Sequence, residues 1–276
     1  MDEGIRGKVA LVTGSGKKTG IGYAVAQALG AYGANLIIAD MGEPGKGALS
    51  TGAWDEMEAI ARDLGDRFSI KTLALRLDVT SNDSILAMEK EIEKVFGHVD
   101  ILVNNAGASF GVPNTVLNYD EDAWMKTIDV NLHGVFRVSR GILPLMAEKG
   151  GSIINTASRA GKRPAAFNGA YSVAKAGVIM LTKVMASELA GMNIRVNAIC
   201  PGQIMTDLEK WRFSLEAEVF GSTIEEREQE MCKTIPLGRI GLPAEVGRLV
   251  RFLASNESSY LTGQAINITG GQLMEI

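Results

Sequence analysis

Tyr171 and Lys175 stand four residues apart in Asn168-Gly169-Ala170-Tyr171-Ser172-Val173-Ala174-Lys175. On a helix that spacing sets both side chains on one face. A free tyrosine loses its proton at a pKa of about 10, too high for a base at neutral pH. A neighbouring ammonium, together with an oxidised nicotinamide if one binds there, favours the phenolate and lowers that value. A tyrosine so placed exchanges a proton with an alcohol or a carbonyl near neutral pH. Ser158 lies 13 residues earlier, just past an expected strand end, where its hydroxyl can hold the same oxygen. Alone, Tyr-x-x-x-Lys also describes a packed Tyr beside a solvated Lys, so the surroundings must carry the chemistry.

A second constellation lies near the start of the chain. Thr13-Gly14-Ser15-Gly16-Lys17-Lys18-Thr19-Gly20-Ile21-Gly22 joins the apolar run Lys8–Thr13 to the amphipathic stretch Ile21–Tyr32. Glycines there permit a tight turn and close backbone approach to a pyrophosphate. The helix start adds free N–H groups and partial positive charge. Turns use glycine without any ligand too; the strand-to-helix setting is what points to a dinucleotide. Asp40 closes the second strand, 18 residues beyond Gly22. A carboxylate there accepts from both ribose hydroxyls of NAD and repels the 2′-phosphate of NADP. No Arg follows it at once, so NAD is favoured over NADP, although Lys17 and Lys18 could receive a phosphate and a plain strand-end Asp is the bland alternative.

These side chains need a frame, and the chain supplies an alternating one. Apolar runs at Lys8–Thr13, Asn35–Ala39, Thr72–Val79 and Asp100–Val103 alternate with amphipathic stretches Ile21–Tyr32, Trp54–Leu64 and Ser84–Phe96. Runs that are apolar throughout are strands covered on both faces, and the alternation predicts βαβ units on a parallel sheet. It continues with a helix near Ala123–Ala147, a strand at Ser152–Thr156 and a helix at Ala170–Leu189. A strand at Ile194–Ile199, a helix near Ala244–Ala254 and a last strand at Gln264–Ile268 complete it. No linker, repeat or low-complexity segment divides the pattern. It predicts one α/β, doubly wound Rossmann domain over 1–276 with a mostly parallel, seven-stranded sheet. Its cofactor half would be about 1–150 and its catalytic and substrate half about 151–276.

The bulk numbers narrow the function class. Of 276 residues, 46% are hydrophobic and 22% charged, with a net charge of −4. That is an ordinary globular composition without the basic surplus that nucleic acid or an anionic membrane would ask for. No apolar run approaches the roughly 18 residues of a membrane span, and the acidic opening lacks a signal peptide's apolar core. Two cysteines, Cys200 and Cys232, make no disulfide framework, which fits a reducing, cytoplasmic location. With two histidines, His98 and His133, neither at metal-ligand spacing from a partner, both read as structural and no metal site is expected. The run Glu225–Glu230 reads as a solvated helix face.

Taken together, Thr13-Gly14 with Gly20-Ile21-Gly22, Asp78-Val79, Asn104-Asn105-Ala106-Gly107, Asn131, Ser158, Tyr171-x-x-x-Lys175 and Pro201-Gly202 occur in a characteristic order. The whole resembles the short-chain dehydrogenase/reductase family, from Gly7 to Gly271. The resemblance implies that Tyr171 is the general acid/base, that Lys175 lowers its pKa and binds the nicotinamide ribose, and that Ser158 polarises the substrate oxygen. It implies a proton relay through water at Asn131, adenine contacts at Asp78 and Val79, and a cofactor cleft lined by Asn105, Ala106 and Gly107. It further implies carboxamide contacts at Ile204 and Thr206 after Pro201-Gly202, and a homo-oligomer, commonly a tetramer, built on the helices near Ala123–Ala147 and Ala170–Leu189.

The chain departs from the family pattern in three places. The glycine turn carries about two extra residues, Gly42–Gly52 enlarges the loop beside the adenosine site, and Thr269 stands where relatives commonly carry Asp. The enlarged loop is expected to fold over the adenosine and slow cofactor exchange. The leading function is an NAD-dependent oxidoreductase interconverting a secondary alcohol (polyol, sugar, hydroxy acid or cyclic alcohol) and its ketone. Alternatives are an NADPH-linked 3-oxoacyl reductase and, in another class, a non-catalytic dinucleotide-binding regulator. Substrate choice is expected to lie in Ala108–Val116, Arg159–Asn168 and a lid at Thr206–Leu237.

Overall fold

The computed structural model describes residues 4–43 and 51–275. Seven strands form one sheet: β1 (Val9–Thr13), β2 (Asn35–Asp40), β3 (Thr72–Arg76), β4 (Ile101–Asn104), β5 (Gly151–Thr156), β6 (Ile194–Pro201) and β7 (Ala265–Ile268). Their order is β3-β2-β1-β4-β5-β6-β7, and every pair is parallel. The order reverses between β1 and β4, the switch point at which such sheets open a crevice beyond their carboxyl ends.

Alternate strand residues feed opposite cores, as the period of a strand requires. Ala10, Val12, Leu36, Ile38 and Val103 pack on α1 (Ile21–Gly30), α2 (Trp54–Phe68) and, further along the chain, α9 (Pro243–Ala254). Val9, Leu11, Ile37, Ala39 and Leu102 pack on α3 (Asn82–Phe96), α5 (Gly134–Met146) and α6 (Gly169–Leu189). The continuous apolar runs are thus buried on both faces, as their composition predicts. At the amino edge of the sheet, the buried Asp100 accepts from Val9 N at 2.8 Å and Lys8 Nζ at 3.1 Å and lies 3.2 Å from His98 Nε2. His98 is therefore a structural residue, as expected, and His133 pairs locally with Asp129 at 3.1 Å.

Three departures from the sequence expectation bear on the site. The stretch Ala123–Ala147 is two helices, α4 (Glu121–Ile128) and α5, joined by one wide π turn over Asp129–His133. The side chain of Asn131 causes it: its amide donates to Thr127 O at 2.8 Å and to Ala108 O, competing with the helical ladder. β3 ends at Arg76 rather than Val79, because Asp78 Oδ1 accepts from Thr80 N and turns the chain toward α3. The lid resolves into α7 (Asp207–Phe220), capped by Thr206, and α8 (Ile224–Lys233), capped by a reciprocal Thr223–Glu226 box. No residue of α8 is buried, so Glu225–Glu230 lies on a solvated helix as expected.

Of the enlarged 42–52 loop, residues 44–50 lie outside the described residues, and with them the expected fold over the adenosine. Its ends are bridged through Gly42 and Ala53. Gly52 packs against the glycine turn so closely that a Cβ there would stand 2.1 Å from Gly16 O. Among the described residues, no helix is long and apolar enough to cross a membrane.

Candidate active site

The carboxyl ends of β1, β2, β4, β5 and β6 open on one cleft of about 1570 Å³. Typical small-molecule sites span about 300–1,000 Å³, so the cleft has room for a dinucleotide and a second molecule. The Ala108–Val116 and Arg159–Asn168 loops and helix α7 of the lid all contribute to its walls, as expected of specificity loops.

Ser158, just past β5, and Tyr171 and Lys175, on α6, meet at the inner end. The Ser158 side chain lies beside the Tyr171 phenol and lowers its pKa, and its Oγ accepts from Ala160 N at 3.1 Å. Lys175 Nζ donates to Thr156 O at 2.8 Å and lies 5.5 Å from the centre of the Tyr171 ring. Burial dominates the acidity of these groups in the protein alone. It raises the Tyr171 pKa above its ordinary value, with Ser158 opposing it. The same burial pushes Lys175 down to about 8. Desolvation penalises whichever form is charged, and it is the largest influence on both groups.

Asn131 comes to the same place through the π turn. Its Oδ1 is buried and has no hydrogen-bond partner among the described residues. A Cβ on Gly107 would lie 2.8 Å from that oxygen and 3.5 Å from Lys175 Nζ, so glycine keeps a small polar space open between them.

The glycine turn forms a cradle that fits a dinucleotide. Gly14 has φ +64°, and a Cβ there would strike Ala106 Cα at 2.8 Å. A Cβ on Gly22 would stand 2.2 Å from Gly14 O. Gly20 is different: a Cβ would meet nothing closer than 3.4 Å, so no protein atom demands glycine, and the residue faces the cleft. That space, beside the start of α1 with no side-chain cap, suits a pyrophosphate. Asn105 does more than line the cleft; its amide donates to Thr13 O and Gly14 O, both at 3.0 Å, and holds the turn in shape. Thr13 Oγ1 in turn accepts from Asn105 N and Ala106 N. Ile21, Asp78, Val79, Gly107, Pro201, Gly202, Ile204 and Thr206 also line the cleft.

Asp40 accepts from Gly16 N and Met41 N, each at 2.9 Å, and burial raises its pKa despite those bonds. Lys17 Nζ stands 3.0 Å from Asp207 Oδ2 at the start of α7, and Thr19 Oγ1 donates to the same oxygen at 2.6 Å. The lengthened turn is thereby tied to the lid. Sequence reading missed this contact and also Arg76, which strand register sets opposite Asp40 and which lies over the Trp54 ring at 5.1 Å. The parallel register of β2 and β3 was the available signal.

It missed Glu209 as well, a lid carboxyl 8% exposed. Burial pushes its pKa up to about 7; Arg212 and Arg159 oppose that rise, and Glu216 and Glu228 add to it. The folded value lies above that of an unfolded glutamate, about 4.3. The folded state therefore keeps a proton that the unfolded state has lost, and stability falls as pH rises from about 4.5 to about 7. Glu209→Gln cannot ionise, so its Tm relative to the parent is expected to climb between about pH 5 and pH 8. A flat difference in thermal denaturation would show that the carboxyl ionises freely.

Comparison with known proteins agrees with this geometry. A family profile described as Enoyl-(Acyl carrier protein) reductase matches residues 14–272. The 3-oxoacyl-[acyl-carrier-protein] reductase FabG of Vibrio cholerae is 37% identical, covering 98% of this chain and 99% of that protein. The structure of L-sorbose reductase from Gluconobacter frateurii complexed with NADPH and L-sorbose matches with a TM-score of 0.89 at 30% identity over 100% of both chains. NAD⁺-bound xylitol dehydrogenase matches with a TM-score of 0.86 at 31% identity, covering 97% of this chain and 99% of that one. The chain belongs to the short-chain dehydrogenase/reductase family of NAD(P)-dependent oxidoreductases.

Proposed function

We propose that the protein is an NAD-dependent oxidoreductase interconverting a secondary alcohol and its ketone. The observation that carries this reading is the meeting of Ser158, Tyr171 and Lys175 on the cleft that Asp40 and the glycine cradle share. A nicotinamide cofactor bound along Gly14–Gly22 supplies or accepts the hydride. The chain's own groups handle position and the proton. Ser158 Oγ holds the substrate oxygen, and Tyr171 gives that oxygen a proton as the phenol in reduction or takes one as the phenolate in oxidation. Lys175 stabilises the phenolate as it forms, and the unsatisfied Asn131 Oδ1 beside Gly107 holds a water through which the proton passes outward.

Asp40 supports NAD over NADP, because a half-buried carboxylate at the end of β2 accepts from ribose hydroxyls and repels a phosphate. Lys17, held at Asp207, and Arg76, stacked on Trp54, are both occupied in other contacts. Asp40→Ala is expected to shrink the NAD:NADP ratio of kcat/KM by about 10- to 100-fold. An unchanged ratio would place cofactor choice elsewhere. The direct test is a panel of secondary alcohols with NAD and NADP, following absorbance of the reduced cofactor; no turnover on any of them overturns the reading. Similarity to 3-oxoacyl-[acyl-carrier-protein] reductases favours a second reading, an NADPH-dependent reductase of 3-oxoacyl thioesters, which the reverse assay with such a thioester decides.

The proposal extends to assembly and location. Met125, Phe136, Val173, Met180 and Val184 leave α4, α5 and α6 with large exposed apolar side chains, which supports a homo-oligomer, commonly a tetramer in this family. Two free cysteines, one buried, support a reducing cytoplasm.

A further inference from the structure

We propose that the substrate carries a carboxylate bound by Arg159, so that the reacting alcohol or ketone is a hydroxy acid or an oxo acid. This rests on the oxidoreductase reading and names the substrate class within it.

Arg159 follows Ser158 directly and opens the short 3₁₀ turn Arg159–Gly161. Its backbone is fixed there, with its carbonyl accepting from Lys162 N at 3.0 Å and Arg163 N at 2.9 Å. The residue lines the cleft beside the Ser158 hydroxyl that holds the substrate oxygen. Its guanidinium makes no hydrogen bond or ion pair among the described residues. Burial lowers its pKa, the neighbouring Arg163 and Arg212 lower it further, and Glu209 opposes them from beyond ion-pair distance while itself held by Arg212. A partly desolvated cation with no hydrogen-bonded or ion-paired carboxylate is costly, so its place in a wall is explained by an anion that arrives with the ligand.

The other arginine of that wall is already matched. Arg212 lies 2.8 Å from Glu209 Oε1 and 3.6 Å from Glu216 Oε1, and it stacks over Phe213 at 4.9 Å. Arg163 and Arg212 add positive charge beside Arg159, which favours an anion at this wall. A planar guanidinium also meets a carboxylate through two parallel hydrogen bonds. Phe110, Phe167, Trp211 and Leu215, all in the same cleft, receive the carbon body.

The test uses the full chain with 3-oxobutanoate, 4-oxopentanoate and 5-oxohexanoate, each against its methyl ester, with NADH. At least one acid is expected to exceed its ester in kcat/KM by at least about 10-fold, the size expected of a charged hydrogen-bonded pair. Arg159→Gln is expected to abolish that preference mainly through KM, and Arg159→Lys to keep part of it. Calorimetric titration of the same acids reads the site without turnover. In the parent protein, butanoate should compete with the preferred acid, a measurement independent of how well any variant folds. Esters used as well as acids, or acids that bind Arg159→Gln as tightly as the parent, overturn the carboxylate site and leave the oxidoreductase reading standing. Acids that bind the parent and not Arg159→Gln, with no ketone reduced, uphold the site and overturn that reading instead.

Discussion

Tyr171→Phe is expected to lower kcat by about 10²- to 10⁴-fold, the range for losing a positioned proton-transfer group. The ring is retained, so its packing beside Lys175 survives. What disappears is the phenolic oxygen beside Ser158. Cofactor affinity is expected to stay within a factor of about two, because the cradle at Gly14–Gly22 lies on β1 and α1 and shares no hydrogen bond with the phenol. Stopped-flow or steady-state measurement of reduced cofactor, paired with calorimetric NAD titration, separates the two effects. Turnover close to the parent's would remove Tyr171 from the proton-transfer role.

The second large effect is expected at Gly22. An alanine there would set its Cβ 2.2 Å from Gly14 O and 2.7 Å from Asn105 Nδ2. Those atoms are bonded to each other at 3.0 Å, and Gly14 is held at φ +64°, so the neighbours are backbone and a locked amide rather than a mobile side-chain tip. Overpacking of this kind costs about 1–3 kcal/mol. Gly22→Ala is expected to lower Tm and weaken NAD binding by at least about 10-fold, since the distorted turn must still approach a pyrophosphate. Gly20→Ala is the informative contrast. With nothing nearer than 3.4 Å its fold should be undisturbed, while its methyl would occupy ligand space. Tm near the parent's together with lost NAD affinity is the expected result; unchanged affinity would move the pyrophosphate away from Gly20.

How much of this was legible beforehand depends on where the determining contacts lie. β1 and β2 could be read because Val9–Val12 and Leu36–Ala39 are apolar throughout and are buried on both faces. Their neighbours in the sheet followed from the βα rhythm. Ser158, Tyr171 and Lys175 were found by local spacing, and the fold brings them together at one end of the cleft. The break at Asn131 was not legible, because a helix boundary created by one amide's bond to Ala108 O depends on a loop 23 residues away. Arg159, Glu209 and the Thr19–Asp207 contact became meaningful only once residues up to 188 apart were neighbours. The effect of burial on the acidity of Tyr171 was out of reach for the same reason. A sequence shows the neighbouring charge but not the burial that opposes it. Family membership with all four of Asn131, Ser158, Tyr171 and Lys175 present decides for an enzyme over a non-catalytic regulator.

The parallel sheet has a practical consequence for anyone altering this protein. Because every strand points the same way, the residues discussed for chemistry gather at one edge, and Lys8, His98 and Asp100 hold the chain together at the other. Changes at separated sites without shared partners usually combine additively. Robustness and selectivity can therefore be bred on two independent tracks. Variants chosen at the Asp100 end for heat tolerance can be merged with variants chosen at the cleft for a new substrate, with little need to rescreen one against the other.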